Sequence, residues 1–131
     1  MVRLTIELRD LSPEKLLRIM TAIRARVSAI GQATKTRIEI APLSRNQPAL
    51  ATPAIQDAIA RASGALRLDT ARLPSHASHD AASMAQLGPM GMIFVPSVGG
   101  ISHAPGELTR WPDCTNGANV LLQAVLDVDR L

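Results

Sequence analysis

Three histidines, two of them with an acidic residue close by, are the side chains of this sequence best suited to chemistry. His76, His79 and Asp80 lie in the stretch LPSHASHDAAS, and His103 and Glu107 lie in GGISHAPGE. Imidazole and carboxylate groups serve as metal ligands and as general acids or bases. Their spacing matches no complete metal motif such as HExxH, so the residues alone indicate a metal site only weakly.

Each candidate residue also has a simpler interpretation. His76 fits an exposed loop, and His79 with Asp80 could cap a following helix, because Asp accepts hydrogen bonds from the backbone N–H groups of a helix start. His103 fits a turn, since the diglycine before it could supply the positive φ angles of that turn. Arg9, on the polar side of an alternating segment, would by default be a solvated charge. The residues alone leave these alternatives open.

The first elements that must position these residues form a predicted strand–helix–strand unit in residues 1–45. RLTIELRD and TRIEIAPL alternate apolar and polar residues, as half-buried strands do. Between them, Ser12 and Pro13 are typical of a helix start, and Gly31 is typical of a helix end. Apolar residues at helical spacing predict one buried stripe on this helix: Leu16, Met20, Ile23, Val27 and Ile30.

A second unit is predicted in residues 46–131, after a connector from Ser44 to Pro53. Helical spacing predicts a helix over 54–66, a short strand follows near Ala65 to Leu73, and GMIFVP predicts a strand covered on both faces. A helical tail is expected from Asp113 to Leu131. This order is that of an α/β layer. Each unit is too small for a complete sheet and core, so each looks like part of a larger domain.

The composition narrows the class of protein. Hydrophobic residues make up 47% and charged residues 19% of the 131 residues, which is typical of a globular chain. No apolar run reaches the roughly 20 residues that span a bilayer. The charged, alternating segment after Met1 predicts no signal peptide. A single cysteine, Cys114, fits a reducing compartment, so we expect a cytoplasmic protein without a membrane partner.

The basic first third of the chain raises the possibility of nucleic-acid binding. Residues 1–45 hold nine Lys or Arg against four Asp or Glu, whereas residues 46–131 hold five against seven. However, Phe94 and Trp111 are the only Phe, Trp or Tyr residues, so the chain has few side chains on which nucleic-acid bases could stack. We therefore expect no nucleic-acid partner.

Five stretches taken together resemble one enzyme family: RLTIELRD, TRIEIAPL, LPSHASHDA, MIFVPSVGGISHAPGE and DCTNGANVLLQAVL. They are similar to the C-terminal third of the metal-dependent amidases, which include N-carbamoyl-L-amino acid hydrolases, allantoate amidohydrolase and β-ureidopropionase. These enzymes are relatives of the aminoacylase and carboxypeptidase metallopeptidases. The resemblance implies an α/β fold. Residues 1–45 would end a lid (dimerisation) domain as strand–helix–strand, and residues 46–131 would form the C-terminal part of a metallopeptidase-like catalytic domain.

The resemblance also implies roles for four residues. His103 would ligate the second ion of a dinuclear site that holds two divalent ions, zinc or manganese. His79 and Asp80 would line the substrate pocket. Arg9 would bind the carboxylate of a small ureido substrate, a role that suits the planar fork of arginine. The sharp turn at the diglycine would then carry the imidazole of His103 to the metal.

The sequence departs from the family pattern at several positions. His76 and Ser78 replace glycines, Ala82 replaces a common Gln, and Glu7 replaces the Asp before the arginine. The added side chains could crowd the substrate.

The family's remaining metal ligands and its catalytic Glu base have no counterpart in these residues, so we expect no catalytic residue in this chain and an incomplete metal site. The resemblance implies a C-terminal fragment or subunit of an amidohydrolase that cleaves N-carbamoyl amino acids or related ureido or amide C–N bonds. A second copy, or a partner chain supplying the remaining catalytic residues, would then be needed for activity. The alternative is a non-catalytic remnant that acts as a binding or oligomerisation module.

Overall fold

Helices are the regular elements of the computed structural model, which describes residues 1–129. A 3₁₀ turn at Val98–Gly100 accompanies four α-helices: α1 (Pro13–Thr34), α2 (Pro53–Ala65), α3 (Asp80–Met84) and α4 (Trp111–Val128). The four predicted helical regions are therefore confirmed. The final two residues of the predicted helical tail, 130–131, lie outside the described residues. Within the described part, no helix is long and apolar enough to cross a membrane.

The chain divides into two compact units. The first comprises Met1–Ala49 and Pro74–Ser78, and the second comprises Leu50–Leu73 and His79–Leu131. The first unit therefore holds α1, and the second holds α2, α3 and α4. The assignment of residues 1–45 to a lid domain and of 46–131 to a catalytic domain stays a prediction.

The start of α1 follows the local signals in the sequence. Ser12 is the N-cap, and its Oγ accepts a hydrogen bond from the backbone N–H of Lys15 at 3.1 Å. The same hydroxyl donates to Oε2 of Glu14 at 2.9 Å. Pro13 occupies the first turn, where its missing N–H leaves no helical bond unmade.

Two carboxyl groups at this helix start have lowered pKa values. The ammonium of Lys15 contacts Asp10 and is the main cause of the lowered pKa of Asp10, and the backbone N–H of Ser12, at 3.0 Å, adds to it. The pKa of Glu14 is lowered by its own backbone N–H first and by the Ser12 hydroxyl second. Both carboxylates therefore stabilise the first turn when they are charged.

The predicted end of α1 at Gly31 is wrong, because the helix continues to Thr34. Lys35, with φ of 52°, takes the left-handed position that was expected to require glycine. Gly31 instead lies in the helix, where its carbonyl accepts from the N–H of Thr36 at 3.0 Å. A Cβ on Gly31 would lie 3.0 Å from the Thr36 carbonyl oxygen, so the glycine permits a close approach of backbone.

The apolar stripe predicted for α1 is only partly covered. Leu16, Ile23 and Val27 are half-buried, whereas Met20 is 38% and Ile30 is 41% exposed. No residue of α1 is fully buried. The stripe is therefore present in the sequence but lacks a partner surface among the described residues.

The packed core of the second unit lies between α2 and α4. Its buried apolar residues are small or β-branched: Ala58, Ala62, Val120 and Ala124. Small side chains let the two helices approach closely, and Ile59, Leu68 and Ile93 pack around them. At the edge of this contact, the guanidinium of Arg61 donates to Oδ2 of Asp127 at 2.7 and 3.0 Å.

The predicted strands are wrong for residues 1–129, none of which is assigned to a strand. This corrects the strand–helix–strand description of residues 1–45 and the strands expected near Ala65–Leu73 and in GMIFVP. A strand exists only when a neighbouring backbone pairs with its N–H and C=O groups, and the described residues supply no such neighbour. Consistent with this, Leu4 and Ile6, which were expected to face a core, are 85% and 64% exposed.

The surface area of the chain reflects these uncovered segments. The chain has a solvent-accessible surface area of 11007 Å², whereas a folded monomer of this size is expected to have about 6,700 Å². The excess is roughly 4,000 Å². The chain therefore exposes more surface than is expected for a folded domain of its length, and apolar side chains such as Leu4, Leu73 and Leu87 contribute to it.

Candidate functional site

The candidate metal ligand His103 lies on a closed loop that we call the histidine loop, residues 97–108. Its ends are joined by a hydrogen bond from the N–H of Val98 to the carbonyl of Leu108, at 2.8 Å. The hydroxyl of Ser97 donates to the carbonyl of Ile101 at 2.5 Å and lies 3.4 Å from that of Leu108. The loop therefore has a defined base from which its tip projects.

The diglycine performs the turn that the sequence predicted. Gly99 and Gly100 both have φ of 68°, a left-handed conformation in which a side chain would be strained. Gly106, with φ of 90°, makes a second such bend later in the loop. These bends return the chain to the base of the loop and leave residues 102–105 at its tip.

His103 itself adopts a left-handed conformation, which the sequence did not predict. Its φ is 57°, and its N–H donates to Oε2 of Glu107 at 2.7 Å. Its Nδ1 lies 2.7 Å from Oγ of Ser102. One ring nitrogen, Nδ1, is thus engaged within the loop, and the residue is exposed.

His79 and Asp80 lie at the start of α3 in the second unit. His79 is the N-cap residue, but its side chain makes no capping hydrogen bond; its ring instead packs edge-on against Phe94, with the centroids 5.7 Å apart. Asp80 is exposed in the first turn. The capping interpretation of these side chains is therefore not supported by a cap bond, although a negative charge in the first turn favours the helix.

Arg9 lies in the first unit, and its guanidinium is engaged on two sides. Its Nε and Nη2 donate to the same oxygen of Glu7, at 2.9 and 2.6 Å, and its Nη1 donates to the backbone carbonyl of His76. The His76 side chain is exposed, as expected for a loop position. The Arg9 guanidinium therefore has hydrogen-bond partners on two sides while the residue stays exposed.

These residues do not make a complete metal site. Among residues 1–129, no group of three or more His, Cys, Asp or Glu side chains is arranged to hold a metal ion. His103 fits the role of a single ligand, since its ring is exposed and its Nδ1 has a hydroxyl partner, a common arrangement for ligating histidines. The roles assigned to Arg9, His79, Asp80 and His103 stay predictions.

An apolar groove, which sequence reasoning missed, runs over the second unit. It has a volume of about 730 Å³ and is lined by α2, by α4 and by segment 91–95, which we call the central segment. A Cβ on Gly91 would clash with Cγ2 of Ile55 in α2, and a Cβ on Gly117 of α4 would clash with Cγ1 of Val95. The two glycines are the sequence signal for this close packing.

The backbone of the central segment lacks hydrogen-bond partners among the described residues. Just before it, the N–H of Thr52 donates to the carbonyl of Met90 at 2.7 Å, and the N–H of Met90 donates to the side-chain Oγ1 of Thr52 at 3.0 Å. The next backbone hydrogen bonds along the chain are those of Ser97 and Val98. The segment is apolar, and its backbone groups are unpaired among residues 1–129. The groove beside it is therefore an uncovered apolar surface.

Comparison with known proteins assigns the family. Residues 4–127 match the sequence profile of peptidase family M20/M25/M40. The chain belongs to this family. The resemblance noted from the sequence motifs is thereby confirmed, and the metallopeptidase-like fold is supported at the level of the family, without the individual strands.

Proteins similar in sequence to this chain carry hydrolase names. An N-carbamoyl-L-amino acid amidohydrolase of Geobacillus stearothermophilus is 36% identical over 124 residues, and a ureidoglycolate hydrolase of Arabidopsis thaliana is 32% identical over 119 residues. The matches cover 95% and 90% of this chain. They cover 30% and 25% of the relatives, so the chain spans less than a third of the length of either protein.

A solved structure of a family relative shows the same architecture. The crystal structure of a protein from Burkholderia cenocepacia, named for the amidohydrolase/peptidase class, matches with a TM-score of 0.77 and 33% sequence identity. The match covers 89% of this chain and 29% of that one. Family membership therefore rests on sequence and structure together.

Proposed function

We propose that this chain is a fragment or subunit of a metal-dependent amidohydrolase that cleaves N-carbamoyl amino acids or related ureido or amide C–N bonds. The observation that carries the proposal is the histidine loop, which presents the exposed ring of His103 at the tip of a closed, hydrogen-bonded turn. The names of the relatives support the reaction class.

In the proposed enzyme, this chain contributes binding groups and no catalytic base. His103 is one ligand of a dinuclear site, and activation of water as a nucleophile is the chemistry that two divalent ions, zinc or manganese, supply in such a site. Arg9 holds the substrate carboxylate through its planar fork. His79, packed against Phe94, and Asp80 line the substrate pocket.

A partner polypeptide completes this site, and we propose that it docks in the apolar groove. The occupant is a chain of the same family that carries the segments this one does not match. Three observations favour this occupant: the central segment has no backbone partners among residues 1–129, the exposed area exceeds that expected by roughly 4,000 Å², and the relatives are more than three times longer than the matched part. The cytoplasmic location inferred from the lone Cys114 belongs to the same proposal.

Complementation tests this function. The segments of the Geobacillus stearothermophilus relative that this chain does not match are co-expressed with it, and the release of ammonia from an N-carbamoyl-L-amino acid is measured with zinc or manganese added. We expect turnover by the complex, loss of turnover in His103→Ala, and no turnover by the purified chain alone. A metal-loaded complex without turnover would reject the proposal, as would hydrolysis by the chain alone.

The second candidate function is that of a non-catalytic binding or oligomerisation module. It is favoured by His76, Ser78 and Ala82, which depart from the family's pocket motif. The same experiment separates the two candidates, since a module of this kind forms the complex through the groove but gives no turnover with any ureido substrate.

A further inference from the structure

The backbone of His103 is held by a side chain four residues later in the histidine loop. Its N–H donates to Oε2 of Glu107 at 2.7 Å, while its φ is 57°. An L residue enters this left-handed conformation only against a steric penalty, so a local contact has to stabilise it. A hydrogen bond to a carboxylate is stronger than one to a neutral acceptor. Glu107 is therefore placed to select the conformation in which the imidazole stands at the tip of the loop.

The position of Glu107 is itself fixed by the loop. Its N–H donates to the carbonyl of Ala104 at 3.2 Å, and Gly106, with φ of 90°, bends the chain between them. The neighbouring residue, Leu108, is tied to Val98 at the base of the loop. This turn brings the carboxylate back beneath the tip, so the contact with His103 does not depend on a freely rotating side chain alone.

The ring of His103 has a second contact that bears on which nitrogen a ligand would meet. Oγ of Ser102 lies 2.7 Å from Nδ1. A ligand bound through Nε2 requires the lone pair on Nε2 and the proton on Nδ1, where the Ser102 oxygen can accept it. The hydroxyl can accept from Nδ1–H or donate to an unprotonated Nδ1, and only the first arrangement leaves the Nε2 lone pair available to a ligand.

We propose that Glu107 and Ser102 are positioning residues for His103: Glu107 fixes its backbone conformation, and Ser102 fixes its tautomer. Positioning His103 in this way is useful for catalysis only under the proposed function, in which His103 ligates a metal. The arrangement itself is a property of the isolated chain and is measurable there.

Solution NMR of the isotopically labelled chain at alkaline pH tests both parts. In Glu107→Ala, we expect about tenfold faster hydrogen exchange at the His103 amide, since a charge-assisted hydrogen bond is lost. Glu107→Gln retains an acceptor oxygen and should lie between the two. The matched control is Glu39→Ala, which removes an exposed carboxylate whose contact is with Arg37; exchange at His103 should be unchanged there.

The ¹⁵N chemical shifts of the ring nitrogens test whether Ser102 fixes the tautomer of His103. In Ser102→Ala, these shifts should move toward the values of the Nε2-protonated form, and the ring of His76 serves as an internal reference. Hydrogen exchange at the His103 amide should be unchanged in this variant. Zn²⁺ alone, added to the chain, should shift the His103 ring signals less in Glu107→Ala than in Glu39→Ala. Far-UV circular dichroism checks that the helices are retained.

The outcomes separate this inference from the proposed function. Unchanged amide exchange in Glu107→Ala, or unchanged ring shifts in Ser102→Ala, overturns the corresponding positioning role even if a complex hydrolyses substrate. An equal response to Zn²⁺ in Glu107→Ala and Glu39→Ala also overturns the role of Glu107. The expected changes together with a complex that gives no turnover establish the positioning and reject the amidohydrolase function.

Discussion

Arg9 donates to a single oxygen of Glu7 from two of its nitrogens, Nε at 2.9 Å and Nη2 at 2.6 Å. This edge of the guanidinium is the one that binds a carboxylate bidentately. In the proposed enzyme, Glu7 would therefore compete with the substrate carboxylate for this edge of Arg9. Both side chains are substantially exposed, at 48% and 67%, so the ion pair is weak and a substrate would displace it readily.

Removing the charge of Glu7 should therefore improve substrate binding in the complemented enzyme. We expect Glu7→Gln to lower KM for an N-carbamoyl amino acid about two- to fivefold, because an exposed ion pair contributes at most about 1 kcal/mol. Glu39→Gln is the matched control, since Glu39 pairs with Arg37 at the same spacing in sequence. An unchanged or higher KM in Glu7→Gln would count against a substrate role for Arg9.

For substrate binding, the bidentate geometry of the Arg9 guanidinium should matter more than its positive charge. Arg9→Lys keeps the charge but loses bidentate binding, and we expect kcat/KM to fall roughly 10- to 100-fold in the complemented enzyme. Stability should change by less than about 0.5 kcal/mol, because the residue is exposed. An equal loss of activity with substrates that lack the carboxylate would show that Arg9 acts in some other way.

The close approach at Gly91 should make this position intolerant of a side chain. Gly91→Ala would drive a methyl group into Ile55, a β-branched residue with little freedom to move, and we expect a loss of about 1–3 kcal/mol. Gly64→Ala, in α2 with open space around it, should instead stabilise by about 0.5–1 kcal/mol. Denaturant unfolding followed by circular dichroism measures both, and similar effects in the two variants would contradict the packing described for the groove.

Acid should loosen the first turn of α1. The folded pKa values of Asp10 and Glu14 lie below the ordinary values of 3.8 and 4.5. Lowered pKa values contribute stability above the ordinary pKa, and this stability is lost as the pH falls through the folded pKa. The amide signals of the first turn should therefore weaken below about pH 4.5, earlier than those of α2, whose first turn has no acidic residue. Simultaneous loss in both helices would show that these contacts do not set the acid response.

The helices could be predicted because their signals are local. Ser12 and Pro13 identify the start of α1 from neighbouring residues alone, since a cap bonds to an N–H only three residues away. The strands could not be predicted in the same way. The alternation of Leu4 and Ile6 fixes which side chains share a face, but pairing depends on a second backbone that no local pattern supplies.

In the candidate site, too, the features with local sequence signals could be predicted and those set by tertiary contacts could not. The motif located His103, and the diglycine predicted the turn before it. The contacts that hold His103 depend on tertiary geometry: a bend at Gly106 brings Glu107 back to the backbone of His103. The only local hint of the left-handed conformation is residue type, since histidine adopts it more often than most side chains.

The unpaired central segment also bears on how much of this protein a cell could hold. A chain that displays apolar residues and open backbone groups is recognised by chaperones and degraded by proteases, and it aggregates as its concentration rises. The chain by itself would therefore accumulate to only a low level, and its soluble concentration would be limited by aggregation and proteolysis.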